Sequence, residues 1–269
     1  MNGFQNDPPA ASAALISQRA ASCEVSDSRE PGVFLTAEWR FLAMLNFTID
    51  PCVLADQVPR GTELDEFGGE TFVSVVGFRF LNTRVRGLPI PFHRNFDEVN
   101  LRFYVRRKSV DGTWRRGVVF VKEIVPRCAI AIIARCFYNE NYSAMPMRHR
   151  VELERGDFAY EWKHGGSWSG ISARIAMKSD ASFVRENSIE EFITEHYWGY
   201  SRQRDGGTVE DRVEHPKWRV WPAAQTRFSC TEVATLYGTM FKECLNSPPA
   251  SVFVADGSPV TVFRGVRIC

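Results

Sequence analysis

A chain of 269 residues with 44% hydrophobic and 24% charged residues has ordinary globular composition and is long enough to bury a substantial core. Lys+Arg 33 against Asp+Glu 32 leaves a formal net charge of +1, so there is no excess charge to hold a polyanion and no nucleic acid is expected as a partner. No stretch approaches the ~18 apolar residues that span a bilayer, so no membrane is expected either.

The first segment, "MNGFQNDPPAASAALISQRAASCEVSDSREPG", lacks a basic start, and its short apolar patch is broken by Gln18 and Arg19. Such a composition cannot offset ordering entropy, so residues 1–31 read as a disordered leader ahead of a single domain over 32–269. Seven cysteines, Cys23, Cys52, Cys128, Cys136, Cys230, Cys244 and Cys269, form no C-x-x-C pair. That is the usage of a reducing compartment rather than a disulfide framework, which predicts a cytoplasmic protein.

After Pro31 aromatic and β-branched residues dominate. "EWRFLAMLNFTID" (Glu38–Asp50) carries Arg40 among apolar neighbours, where an arginine normally needs an anionic partner. "VGFRFLNTRV" and "VNLRFYVRRK" alternate with the period of half-buried strands. Val99, Leu101, Phe103 and Val105 share one face, while Asn100, Arg102, Tyr104 and Arg106 share the other. Asp111-Gly112 then predicts a hairpin into "WRRGVVFVKEIV". The cluster Arg102, Arg106, Arg107, Lys108, Arg115 and Arg116 straddles that turn and reads as a solvated hairpin tip. "PRCAIAIIARCFY" predicts a buried helix.

Downstream, "FAYEWKHGGSWSGISARIAMKS" predicts strands about a Gly-Gly turn. "SIEEFITEHYW" predicts a helix with Ser188 and Glu191 as a capping box, burying Ile189, Phe192, Ile193 and His196 on one face. "TEVATLYGTMFKECLN" predicts a second amphipathic helix, and "SVFVADGSPVTVFRG" two strands about a turn. The expected domain is mainly β (α+β), a mostly antiparallel sheet with a few helices.

There is no G-x-G-x-x-G opening a helix, no Walker loop, no H-E-x-x-H and no G-x-S-x-G. The five histidines show no metal-ligand spacing, so neither a metal site nor any other cofactor is expected. Four groups of polar residues stand out. "PFHRNFDEVN" gathers His93, Arg94, Asp97 and Glu98, the last on the side of Asn100 and Arg102; a solvated strand start explains it equally well. "TEHYWGY" gathers Glu195, His196, Tyr197 and Tyr200, for which hydrogen-bonded core residues are the plainer reading. In "VEHPKWRVWP", His215 either lines a cavity or pairs with a carbonyl. Arg40 completes the set.

"VSVVGFRFLNTRVRGLPIPFHRNFDEVNLRFYVRR", "RGVVFVKEIVPRCAIAIIARCFYNENY", "MPMRHR", "TEHYWGY" and "EHPKWRVWPA" together resemble the bacterial family named domain of unknown function 2071 over roughly residues 32–269. That family is in turn similar to acetoacetate decarboxylases, whose fold is a cone-shaped antiparallel β-barrel, a double sheet with peripheral helices enclosing a cavity. The resemblance makes "RFLAMLNFTI" a strand, although by itself it reads as helical, and places Arg40 on the decarboxylases' strand arginine. It places Glu98 of "FDEV" on their glutamate. "CAIAIIAR" and "MPMR" correspond to Pro-Ala-Ile-Ala and the Pro-Lys-Lys that carries the Schiff-base lysine.

Here the lysine positions hold Met147 and Arg148. A thioether cannot condense with a ketone, and a guanidinium stays protonated. The resemblance thus implies a cavity without Schiff-base chemistry. Arg40 would bind a carboxylate, Glu98 would act as acid, base or acceptor, and Met147 would form an apolar wall. Arg148, His149, Glu195, Tyr197 and His215 would line the rest. Arg40, Glu98 and Met147 should then converge on one pocket of roughly 300–1,000 Å³.

Three functions fit: a protein that binds a small organic acid or ketone; a lyase, hydratase or isomerase using Glu98 with His149 or His196 as acid and base; and a structural protein whose cavity is plugged by its own aromatics, with Arg40 paired internally. Related barrels often form homo-oligomers, which are therefore a further expected kind of partner.

Overall fold

The computed structural model describes residues 31–89, 93–126, 142–176 and 179–269. Its strands are β1 (Val33–Ile49), β2 (Glu63–Leu64), β3 (Thr71–Val85), β4 (Leu88–Pro89), β5 (Phe96–Lys108), β6 (Trp114–Val125), β7 (Tyr142–Ala144) and β8 (Met147–Glu152). There follow β9 (Asp157–His164), β10 (Ser167–Ile175), β11 (Ser182–Phe183), β12 (Trp198–Arg202), β13 (Thr208–Glu214), β14 (Arg219–Ser229), β15 (Ser251–Phe263) and β16 (Val266–Arg267). The expected leader and the expected helix at "PRCAIAIIARCFY" lie outside the described residues, apart from Pro31 and Pro126.

The pairings close a ring. β1 pairs with β3, β3 with β5, β5 with β6, β6 with β12, β12 with β13, β13 with β15, and β15 returns to β1. All are antiparallel except β6–β12, so a parallel contact closes the barrel that was expected to be antiparallel throughout. From β15 the sheet continues through β14, β10, β9 and β8 and folds over the outside of the barrel wall.

This architecture makes two cores. One lies inside the ring and includes Leu35, Leu42, Phe78, Phe80, Phe96, Ile193, Trp218 and Val262. The other lies between the wall and the overlying strands and includes Leu45, Phe47, Val99, Leu101, Phe103, Phe158, Tyr160 and Trp162. β5 is therefore buried on both faces: Val99, Leu101, Phe103 and Val105 meet the outer layer, and Glu98, Asn100, Arg102 and Tyr104 meet the lumen. The face that alternation marks as solvated is the barrel interior.

A bulge controls which way β1 points. Arg40 pairs with Gly257 and Leu42 with Ala255, while Phe41 adopts φ 58° and Gly257 φ 77°. Before the bulge Leu35, Ala37 and Trp39 pack in the inner core; after it Leu42 and Met44 do, so the side-chain alternation shifts by one. Asp256-Gly257 is accordingly not the turn its dipeptide suggests but a bulge within one continuous strand. A Cβ on Gly257 would clash with the Trp39 carbonyl oxygen.

Local signals elsewhere hold. Gly165 and Gly166 both have positive φ in the β9–β10 turn, and the Thr113 N–H donates to Asp111 Oδ1 in the β5–β6 hairpin. Ser188 Oγ accepts from the Glu191 N–H and starts a helix over Ile189–Thr194, shorter than predicted. The predicted 231–246 helix is split at Gly238, φ 105°, into Val233–Tyr237, a 3-10 turn and Lys242–Asn246.

Two expectations need correction. The basic cluster is largely not a solvated tip: Arg107 and Arg115 both pair with buried Glu210, Arg116 with buried Asp65, and Arg102 enters the lumen. β12 and β13 cover that end of the hairpin, and Glu210 of β13, with Glu63 and Asp65 at and after β2, balances its charge. Cysteines were expected to be reduced; Cys52, Cys230 and Cys244 are free, but Cys269 is disulfide-bonded.

Candidate active site in the barrel

The lumen narrows to a cavity of about 60 Å³. That is well below the roughly 300–1,000 Å³ expected of a ligand pocket, because Trp39, Phe78, Phe80, Phe96, Phe120, Trp198 and Trp218 occupy most of the interior. Trp39 meets Phe78, Phe80 and Trp218 edge-on at centroid distances of 5.7, 5.9 and 6.4 Å. What remains has room for a few waters or a ligand of a few heavy atoms.

Polar groups enter this aromatic cage from several strands. β5 contributes Glu98, Asn100 and Arg102; β6 contributes Glu123; β13 contributes Asp211; and the segment after the Ile189–Thr194 helix contributes His196. Glu98 Oε1 accepts from Asn100 Nδ2 at 2.9 Å, and Glu123 Oε1 accepts from the Tyr142 hydroxyl at 2.6 Å. Burial pushes the Glu98 carboxyl up to about 7, against the Asn100 hydrogen bond and the Arg102 charge. Burial, and then the Glu98 charge, hold Glu123 well above the usual carboxylate range. Burial and neighbouring Glu210 raise Asp211 to about 7. The cluster thus retains protons near neutrality, which suits acid–base work or donation to a ligand oxygen.

Four buried atoms here have no protein partner among the described residues: Trp39 Nε1, Asn100 Oδ1, Arg102 Nε and His196 Nδ1. Each such group costs roughly 1–3 kcal/mol if left unmatched. Arg102 is 9% exposed, cannot give up its proton, lies over the Tyr104 ring at 5.7 Å to the centroid, and acts on Glu98 through its charge.

The residues singled out from sequence are placed apart. Glu98 and His215 line the cavity, His215 stacked on Trp218 at 4.2 Å with Nδ1 facing the Pro216 carbonyl. His196 lines it too and is buried as expected. Tyr197 packs on His215, 4.8 Å away between ring centroids, and donates to Glu195 Oε2. Arg40 does not enter. Trp39 takes the inward position, and Arg40 pairs instead with Glu38 and donates to the Gly257 carbonyl. Met147 and Arg148 lie on β8, outside the wall: Met147 packs in the outer layer, and Arg148 pairs with Glu161 over the Trp168 ring. His149, on the same strand, holds Asp97 Oδ2 at 2.8 Å.

The expected convergence of Arg40, Glu98 and Met147 therefore does not occur, because one bulge turns Arg40 outward and β8 belongs to the overlying sheet. Asn100, Arg102, Glu123 and Asp211 were missed as site residues. For Asn100 and Arg102 the signal is their two-residue spacing from Glu98, a face that a solvated strand start explains equally well from sequence; Glu123 and Asp211 carry no such local signal. No lysine lines the cavity among the described residues; Lys122 reaches Ser143 and Lys163 is exposed. No cluster suited to a metal occurs among the described residues.

Comparison with known proteins agrees with this fold. The chain is 27% identical over 206 residues to the uncharacterized protein YqjF of Bacillus subtilis (strain 168), covering 76% of this chain and 82% of that one. The acetoacetate decarboxylase of Legionella pneumophila superposes with a TM-score of 0.60 at 12% identity, over 100% of this chain and 98% of that one. The enduracididine biosynthesis enzyme MppR, complexed with pyruvate, superposes with a TM-score of 0.62 at 12% identity, over 91% and 93% of the two chains. At these identities the solved structures establish an acetoacetate decarboxylase-like fold. The sequence profile of DUF2071, described as an uncharacterized conserved protein, matches residues 36–259. The chain belongs to the DUF2071 family.

Proposed function

We propose that the barrel binds a small organic acid or carbonyl compound of a few heavy atoms, without forming a Schiff base. The observation that carries this reading is Arg102, buried in an aromatic cage with its Nε unmatched by any protein acceptor among the described residues. A lumen that served only as core would gain by replacing such a group with an apolar one, since a buried guanidinium N–H that meets no acceptor is unfavourable. Arg102, rather than Arg40, is then the carboxylate anchor, and Trp39 Nε1 adds a second donor. Among the described residues no lysine lines the cavity to offer an amine to a ketone.

The aromatic filling favours the rival reading of a plugged, structural barrel, and one experiment separates the two. Thermal unfolding is followed against two- to four-carbon carboxylates and ketones, with pyruvate included because MppR is complexed with it. A ligand at 100 times its dissociation constant adds about 2.7 kcal/mol, a shift of several degrees. Stabilisation lost in Arg102→Met supports the binding reading; no shift with any compound supports the structural one. The Glu98–Glu123 pair favours a second reading, in which the bound compound is turned over by proton transfer. Proton exchange at a carbon next to the ligand carbonyl, abolished in Glu98→Gln, tests it.

A further inference from the structure

His196 faces the cavity with a hydrogen-bonding character that its surroundings fix. Its ring is held between Tyr104, 4.7 Å away, and Phe192, edge-on at 5.2 Å. Nε2 lies 3.3 Å from Asp65 Oδ2. Asp65 follows β2, is buried, does not line the cavity, and accepts from Arg116 Nε on the same oxygen at 2.6 Å. Nδ1 is buried and has no protein partner among the described residues.

Asp65 is an acceptor only. Burial would raise its carboxyl, but the hydrogen bonds from His196 and Arg116 override this and keep it below the usual range. The hydrogen on this contact must therefore come from Nε2. Burial foremost, with repulsion from Arg116 and Arg102 opposing the attraction of Asp65, pushes His196 down to about 4, so the ring carries a single proton. With that proton on Nε2, Nδ1 is a bare acceptor. A carboxylate behind a histidine sets the tautomer in the same way at metal and catalytic sites.

We infer that Asp65, backed by Arg116, is a positioning residue that presents His196 Nδ1 to the cavity as an acceptor, so that the site selects a small acid carrying a hydroxyl donor over the matching oxo acid. This rests on the reading of Arg102 as the carboxylate anchor. The hydroxyl satisfies Nδ1, whereas a ketone oxygen in the same place leaves it unmatched and adds lone-pair repulsion. Sites built to hydrogen-bond a hydroxyl discriminate strongly against analogues that lack it.

Two measurements on the full chain test the inference, and they fail separately. The first uses no ligand: long-range proton–nitrogen NMR of His196, assigned by its loss in His196→Phe, or from the buried ring's own contacts if that variant does not fold. A neutral ring protonated on Nε2 from pH 5.5 to 8 is expected; a proton on Nδ1, or a ring that charges within that range, overturns the inference. The second compares lactate with pyruvate, and glycolate with glyoxylate, by calorimetry on the unaltered protein. At least a tenfold preference for the hydroxy acid is expected, lost in His196→Phe and restored in part by His196→Gln, whose amide oxygen accepts. Equal or tighter binding of the oxo acid overturns it. If none of the acids binds while NMR finds the Nε2 proton, the carboxylate reading of the cavity falls, selection falls with it, and the assignment of Asp65 as positioning His196 stands.

Discussion

Glu98 and Glu123 reach the lumen from neighbouring strands, and each is buried within the field of the other. Their positions are close because Asn100, two residues along β5 from Glu98, is the residue that registers with Glu123 on β6. Two carboxylates so placed resist simultaneous ionisation, so the pair holds a proton that ordinary carboxyls would have lost.

That pair makes stability depend on pH in a defined direction. Glu98 titrates at about 7 in the folded protein against 4.5 for an unperturbed glutamate, so its folded form prefers the proton. The contribution is fully present below about 4.5 and is lost as pH rises through about 7; Asp211, at about 7 against 3.8, acts in the same sense. Glu98→Gln should therefore flatten the fall in melting temperature between pH 5 and 8 and melt higher than the unaltered protein at pH 8. Melts at constant ionic strength check this; a variant that melts lower at pH 8 would show that Glu98 works as an anion.

Two arginines should behave oppositely. Arg40 makes a half-exposed pair with Glu38, so Arg40→Ala should cost about 1 kcal/mol or less and leave ligand-induced stabilisation intact. Arg102→Met should abolish that stabilisation while leaving the unliganded protein about as stable, because loss of a buried N–H without an acceptor offsets loss of the attraction to Glu98. Denaturant titrations with and without the best carboxylate distinguish the two.

Restoring the lysine at 147 should not restore Schiff-base chemistry. Met147 packs in the outer layer, across the barrel wall from the lumen. Met147→Lys treated with a β-keto acid and borohydride should show no covalent adduct by mass spectrometry, like the unaltered protein. A trapped adduct at position 147 in the variant would place that residue inside.

Gly257→Ala should destabilise strongly. The added methyl would press on the Trp39 carbonyl at a residue held at φ 77°. Strain of this kind costs roughly 1–3 kcal/mol before any steric shift, and moving β1 would also disturb Trp39 in the cage. Urea melts report the stability, and Trp fluorescence reports the cage.

Much of the strand content was legible locally. The Asp111-Gly112 hairpin, the Gly165-Gly166 turn and the Ser188 cap each rest on contacts between residues close in sequence, so their signals are in the chain itself. Arg102 and Arg40 show where such signals stop. Alternation along β5 correctly sorted Glu98, Asn100 and Arg102 from Val99 and Leu101, but a period of two says only that two faces differ. Which face meets solvent depends on β13 pairing with both β12 and β15, an arrangement between segments far apart in sequence that turns the polar face into a lumen. Likewise the motif match placed Arg40 on a strand but could not place it on a face, since the bulge at Phe41 and Gly257 arises from the register between β1 and β15. Sequence determined the strands, the missing lysine and the polar residues available to a site. The closing of the barrel decided which of those residues lie together, because only a closed sheet brings residues so far apart in the chain into one buried, low-dielectric space where their charges act on each other.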